Sequence, residues 1–223
     1  MSSHIIQIDP GNPDRSTLRA IARRIVRGEI CVLPTDTIYG FHCRADNTEL
    51  LSQLHQLKGR QEQKPFLLLI QGMEYLLHRE IHLPQAARGL MERFWPGPLT
   101  LVLATRERWP DDLSEDGYSI AVRQPGYPIL NRIIDYAGVP LASTSVNLAG
   151  RQPLQTMEEI LPAFGDRVDC VLDAGLLPAA KPSTIVSFRT SPPSILREGS
   201  IPAEFIRPFL DPPLSRAVPG GAE

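Results

Sequence analysis

The chain has 223 residues, 42% hydrophobic and 22% charged, the balance of an ordinary soluble globular protein. Its formal net charge of −2 supplies no global basic field to draw nucleic acid, so any anion site must be a local cluster. Three cysteines (Cys31, Cys43 and Cys170) without a C-x-x-C argue against a zinc site or a disulfide framework and for the reducing cytoplasm. No apolar stretch approaches the roughly 20 residues of a membrane span, and the N-terminus has neither a basic n-region nor a long apolar run.

Residues 4–8 (HIIQI) read as a short strand. Ser16 then caps a helix whose Leu18, Ile21, Ala22 and Ile25 share one face, ending near Gly28. Residues 29–35 form a buried strand that runs into polar DTIYG, and His42 and Cys43 beyond it read as packing groups. Asn47 caps a helix over 48–58, with Leu50, Leu51, Leu54 and Leu57 at helical spacing and His55 assigned to its surface. A fully buried strand covers 66–70, and a helix over 84–95 stops at Pro96-Gly97. Strands at 99–104 and 118–123 precede a helix over 128–138 with a C-terminal glycine. Next come a strand at 140–144, a helix over 156–165 that carries Pro162, and short strands at 168–175, 183–188 and 194–199. Residues 202–210 close one domain spanning 1–210, and 211–223 lack periodicity and read as a disordered tail. Alternating strands and helices early, with clustered strands late, predict a single α/β domain with a large mixed sheet.

Several predicted strands end in polar residues: Thr35-Asp36-Thr37, Arg123, Ser145 with Asn147, and Arg197. Ligands of open α/β sheets bind beyond strand ends, so these ends can be the walls of one crevice. Lys58, Arg60 and Lys64 alone read as a solvated helix C-terminus. Joined by Arg123 and Arg197 they would concentrate positive charge of the kind that holds a polyphosphate. Neither the P-loop nor the Rossmann glycine fingerprint is present, so side chains from scattered strands would have to hold any nucleotide. Asp36 reads equally as a base and as an Asx-turn former, and Asp173 as a turn former at a strand end. Ser143 and Thr144 read equally as turn chemistry and as part of a substrate wall. No H-E-x-x-H or carboxylate cluster demands a protein-bound metal.

The motifs PTDTIYG (34–40), KGR (58–60) followed by KPFLLLI, WPGPLT (95–100), AVRQP (121–125), STSVNLAG (143–150), PSTIV (182–186) and ILREG (195–199) occur in that order. Together they resemble the YrdC/TsaC family of L-threonylcarbamoyladenylate synthases in its short, single-domain form. The resemblance implies a twisted mixed β-sheet with flanking helices and a deep, positively charged cavity. It implies a nucleotidyltransferase that converts L-threonine, bicarbonate and ATP to threonylcarbamoyl-AMP and pyrophosphate, with Mg²⁺ riding on the phosphates. Partner transferase proteins then pass the threonylcarbamoyl group to an adenosine of tRNA.

By the same analogy Lys58, Arg60 and Lys64 meet the phosphates, while Ser119, Asn147 and Arg197 meet the nucleotide. Thr37, Arg123, Ser145 and Ser183 face threonine, and Lys58, Arg60, Ser145 and Asn147 make up the catalytic set. Some members place a histidine against threonine near the end of the strand after K-x-R, where this chain has Leu67-Leu68-Leu69. The family is also credited with binding double-stranded RNA, which the net charge predicts to be weak here. The rival readings are a non-catalytic double-stranded-RNA-binding or ribosome-maturation factor, and a carbamoyl-adenylate-forming module that uses carbamoyl phosphate.

Overall fold

The computed structural model describes residues 4–59, 64–79, 81–178 and 181–210; Arg60 and the tail expected at 211–223 lie outside the described residues. The strands are β1 (His4–Gln7), β2 (Cys31–Leu33), β3 (Gly40–Arg44), β4 (Leu67–Leu69), β5 (Leu99–Ala104), β6 (Ser119–Arg123), β7 (Leu141–Ser145), β8 (Cys170–Asp173), β9 (Thr184–Ser187) and β10 (Ser194–Arg197). The helices are α1 (Arg15–Val26), α2 (Thr48–Leu57), α3 (Met73–Leu77), α4 (Gln85–Phe94), α5 (Pro128–Ala137), α6 (Met157–Phe164) and α7 (Ala203–Leu210). All ten strands join one mixed sheet in the order β1-β8-β2-β3-β7-β4-β6-β5-β9-β10.

Helices pack on both faces of this sheet, which explains the unbroken apolar runs of its central strands. Alternation along each strand divides the core in two. Val32, Ala142 and Val171 point to a large cluster with α2, α4 and α6. Their neighbours Cys31, Leu33, Leu141, Cys170 and Leu172 point to a second cluster under α1 and α5. The α1–α5 pair covers only part of its face. Leu141 and Leu69 lie beneath it, whereas Ser143, Ser145 and Leu67 continue the same rows of side chains beyond it.

Two local expectations are corrected. Asp14, not Ser16, caps α1, because its carboxylate accepts from the backbone N–H groups of Ser16 and Thr17, the second and third helical positions. These bonds, with those from the two hydroxyls, hold the Asp14 carboxyl well below the usual range. His55 is not a surface residue. It is 4% exposed, with Nε2 3.0 Å from the Asp112 carboxylate and its ring 4.2 Å from that of Phe66. It stands one turn after Leu51, on a face of α2 that is buried more widely than the leucines alone mark out.

Finally, β3 and α3 were not expected. Gly40 to Cys43 are buried on both sides of the sheet and carry no alternation, and five residues are too few to show a helical period. Elsewhere the expectations hold: Asn47 caps α2, Gly138 ends α5 in the left-handed region, and α6 runs through Pro162 behind a Thr156–Glu159 capping box. His42 and Cys43 are packing groups, and Asp173 closes a turn by accepting from Gly175 N–H at 2.8 Å.

Candidate active site

Beyond α5 the uncovered part of the sheet forms the floor of a cavity of ≈ 280 Å³. Its floor is set by strand register. Gly40 pairs with Ser145, Ser143 with Leu67, and Ile185 with both Thr100 and Arg197, and β6 adds Ala121 and Arg123, so residues from seven strands meet although they are far apart in sequence. Thr37 and Tyr39 form one wall, and Pro182, Ser183 and Arg197 another.

One end is built around Arg123, which is 4% exposed. Its Nε donates to the Gly97 carbonyl at 3.0 Å, Nη1 to Thr37 Oγ1 at 3.2 Å, and Nη2 to Asp36 Oδ1. Thr35 prepares this end. Its Oγ1 accepts from the Thr37 and Ile38 N–H groups and donates to the Ile38 carbonyl, while its 2.8 Å contact with Thr37 Oγ1 orients that hydroxyl. The polar run after β2 is therefore a folded turn whose side chains are already engaged. Tyr39 follows it, with its phenol donating to Gly175 O at 2.8 Å and accepting from Ala174 N–H at 3.1 Å. Burial pushes that phenol up to about 12, so it stays protonated as a donor.

The opposite end is built around Arg197. Its Nε and Nη2 grip the Ser183 carbonyl at 3.1 and 2.9 Å, and Nη2 also reaches Ser183 Oγ at 3.3 Å. Thr100 Oγ1 meets the same hydroxyl at 2.8 Å. Partial burial first, and then the charge of Arg123, push the Arg197 guanidinium below its ordinary value, so the two arginines feel one another through the cavity. The glycine of the ILREG motif makes this approach possible. A Cβ on Gly199 would lie 2.1 Å from the Pro182 carbonyl oxygen, so only glycine lets the chain pass.

A third cluster stands behind Ser145. The Lys58 ammonium, 2% exposed, donates to the Ser145 carbonyl and to Asn147 Oδ1, each at 2.7 Å. Ser145 Oγ donates to the same amide oxygen at 2.6 Å, and Asn147 Nδ2 donates to the carbonyls of Leu148 and Arg151. Lys58, the first residue of K-x-R, and the S-x-N motif are thus one hydrogen-bonded unit that fixes the loop after β7.

Of the residues singled out in the sequence, Thr37, Arg123, Ser145, Ser183 and Arg197 line the cavity together. Lys58 and Asn147 support it from behind. Lys64 is exposed beside Pro65, which lines the cavity, and Lys64 itself does not. Ser119 is not brought to the cavity. It shares the face of Ala121 and Arg123 but sits at the far end of β6, where Oγ donates to Asp116 Oδ1 at 2.8 Å. Ser143 and Thr144 are strand residues lining the cavity, not turn residues. Leu67 lines it too, whereas Leu69 belongs to the core under α5.

The sequence reading missed Thr100 and Tyr39. A buried threonine inside the apolar run LTLVLA was the available signal for the first. Among the described residues no group of three or more His, Cys, Asp or Glu side chains could hold a metal ion, and the carboxylate beside the cavity, Asp36, is engaged by Arg123. No helix among them is long and apolar enough to cross a membrane.

The profile of the Sua5/YciO/YrdC proteins, described as "Telomere recombination", matches residues 23–199. The chain belongs to the Sua5/YciO/YrdC family. It is 33% identical to the threonylcarbamoyl-AMP synthase of Vibrio campbellii over 80% of this chain and 97% of that protein. It is 31% identical to the threonylcarbamoyl-AMP synthase of Pyrococcus abyssi over 86% of this chain, but spans only 57% of that protein's length. The crystal structure of P. abyssi Sua5 complexed with L-threonine superposes with a TM-score of 0.87 at 29% identity, covering 93% of this chain and 61% of that one. The mixed sheet with flanking helices is therefore the family fold.

Proposed function

We propose that the cavity converts L-threonine, bicarbonate and ATP to threonylcarbamoyl-AMP and pyrophosphate. The observation that carries this reading is the pairing of two arginines at opposite ends of a hydroxyl-lined floor. One arginine is tied down on three sides and the other is held by a single residue. The names of the V. campbellii and P. abyssi relatives, and the threonine bound by P. abyssi Sua5, point the same way.

The chemistry asks little of the protein beyond placement. Threonine's amine and bicarbonate give a carbamate and water, and the carbamate oxygen attacks the α-phosphorus of ATP as pyrophosphate leaves. No covalent enzyme intermediate is needed. Catalysis is then positioning and charge stabilisation. Arg123 keeps one N–H on each terminal nitrogen for the amino-acid carboxylate, a two-pronged match that a lysine lacks. Thr37, Ser145 and Ser183 complete the threonine side. Arg197, with Arg60 and Lys64, meets the phosphates. Lys58 and Asn147 hold Ser145 in place and stabilise charge as pyrophosphate departs. Mg²⁺ would ride on the phosphates with mostly water ligands, since the nearby carboxylate is already paired.

The product would be consumed by transferase proteins that modify an adenosine of tRNA. Three free, buried thiols accord with work in the cytoplasm. Duplex RNA would bind weakly and with strong salt dependence. The test is pyrophosphate release: it should need threonine and bicarbonate together, and carbamoyl phosphate should not replace them. Equal turnover with carbamoyl phosphate alone would assign the chain to carbamoyl-adenylate chemistry instead. Tight, salt-resistant RNA binding without any adenylate would favour the RNA-factor reading.

A further inference from the structure

Asp36 is bound to Arg123 but does not line the cavity. Its Oδ1 accepts from Arg123 Nη2, while Oδ2 is buried and has no hydrogen-bond partner among the described residues. A carboxylate oxygen left in this condition costs stability, and a neutral side chain would avoid the cost. The surroundings are nevertheless shaped to keep it. A Cβ on Gly126 would lie 2.9 Å from Asp36 Oδ2 and 3.1 Å from Gly97 Cα, so glycine leaves the space that the carboxylate occupies. Gly97 in turn donates its N–H to Gln124 O at 2.9 Å, which fixes the carbonyl that receives Arg123 Nε. Asp36, Thr37 and Gly97 therefore hold the guanidinium from three directions. Five N–H groups less three engaged leave two, one on each terminal nitrogen.

We propose that Asp36 is the positioning residue that aims Arg123, so that its two remaining N–H groups face the cavity and grip the carboxylate of the amino-acid substrate. This rests on the threonine reading of the cavity. An arginine side chain has four rotatable bonds, and two neutral acceptors leave its far nitrogen Nη2 untethered. The carboxylate supplies the charged tie at that atom. Asp36 touches no substrate. Its effect is on carboxylate recognition and not on nucleotide binding.

Two measurements on Asp36→Ala and Asp36→Asn test this in the full chain. The first is independent of any substrate: NMR of the arginine Nε–H and Nη–H groups, with the Arg123 signals assigned through Arg123→Lys. In the wild type the Arg123 Nη protons should be resolved and slow to rotate. In Asp36→Ala they should broaden or average, with Asp36→Asn between, because its amide oxygen still accepts. The second is kinetic. The KM for threonine should rise about tenfold or more in Asp36→Ala, the worth of one charged hydrogen bond, while KM for ATP moves less than about threefold. Preference for L-threonine over L-threoninamide in competition should shrink in parallel.

Wild-type Arg123 signals together with an unchanged threonine KM in Asp36→Ala would overturn the proposal. So would equal losses for threonine and ATP, which mark a general structural defect. If the wild type makes no adenylate from threonine, the functional reading fails, and the NMR comparison still decides whether Asp36 holds Arg123.

Discussion

Arg123 stands on β6, an interior strand flanked by β4 and β5, while Arg197 stands on β10, the edge of the sheet, at a break in register between Ile195 and Arg197. The interior arginine is tied by three residues of two segments: Asp36 and Thr37 in the turn after β2, and Gly97 in the loop before β5. The edge arginine has one neighbouring strand and rests on one residue, Ser183. A bulge at a sheet edge re-aims a side chain without fixing it from several sides. On the proposed reading the same residue type serves two purposes. A guanidinium locked in place suits a small rigid anion such as an amino-acid carboxylate. One held by a single residue can adjust to a longer anion such as a triphosphate.

The sharpest way to break this contrast is to remove each arginine. Arg123→Ala should cost more. It leaves the Asp36 carboxylate buried and unpaired, a change worth about 3–5 kcal/mol of stability, readable as a lowered melting temperature. In whatever folds, kcat/KM for threonine should fall by about 100-fold or more, since two charged hydrogen bonds are lost. Arg123→Lys should rescue little, because one ammonium cannot reach three fixed acceptors and a substrate as well. Near wild-type threonine kinetics in Arg123→Ala would remove the carboxylate assignment.

Arg197→Ala should leave the fold intact and lower kcat/KM for ATP by about 10- to 200-fold. Here lysine should rescue partly, because the edge site does not demand a fixed fork. The same loss is expected for Arg60→Ala. If lysine rescues equally well at both positions, the difference in anchoring does not matter to function.

A smaller effect concerns acid. His42 pairs with Ser143 across β3 and β7 and is wholly buried, and burial, with a minor contribution from the charge of Arg123, pushes it down to about 3. The unfolded chain takes up this proton near pH 6.5 and the folded protein does not until about pH 3. Stability from His42 is therefore full above pH 6.5 and is lost as pH falls toward 3, by up to about 1.4 kcal/mol per unit. Urea unfolding of His42→Asn between pH 7 and pH 4.5 should show a shallower decline than the wild type. A parallel decline would mean that other groups carry the acid sensitivity.

The smallest effects belong to surface controls. Arg79→Ala loses an exposed pair with Glu107 and contacts over Tyr75 and Trp109, for about 1 kcal/mol or less, and Arg88→Ala less still. Both should turn over ATP and threonine as the wild type does. A loss comparable with Arg197→Ala would show that the arginine effects are not local to the cavity.

Strand-end polarity made much of this site legible in advance, because side chains with no place in a core stood where buried runs stop. Thr37, Arg123, Ser145 and Arg197 were found this way, and the structure gathers all four around one cavity. What periodicity could not show is how far a charge is covered. Lys58 looked like one more exposed cation at a helix C-terminus, yet it lies under the loop after β7 with its ammonium on Ser145 and Asn147. His55 failed for the same reason, since Asp112, 57 positions away, covers it. The Asp36–Arg123 pair spans 87 positions and rests on β4 pairing with β6, a register that no local pattern specifies. β3 was invisible because burial on both faces erases alternation.

The central claim, that one cavity joins threonine, bicarbonate and ATP, is tested most directly by mass spectrometry after incubation with L-threonine, ATP and ¹³C-bicarbonate. The account predicts threonylcarbamoyl-AMP carrying a single ¹³C, formed one-for-one with pyrophosphate and lost in Arg123→Lys. A folded wild-type protein that binds ATP but yields no labelled adenylate, or an adenylate whose carbamoyl carbon is unlabelled, would contradict it.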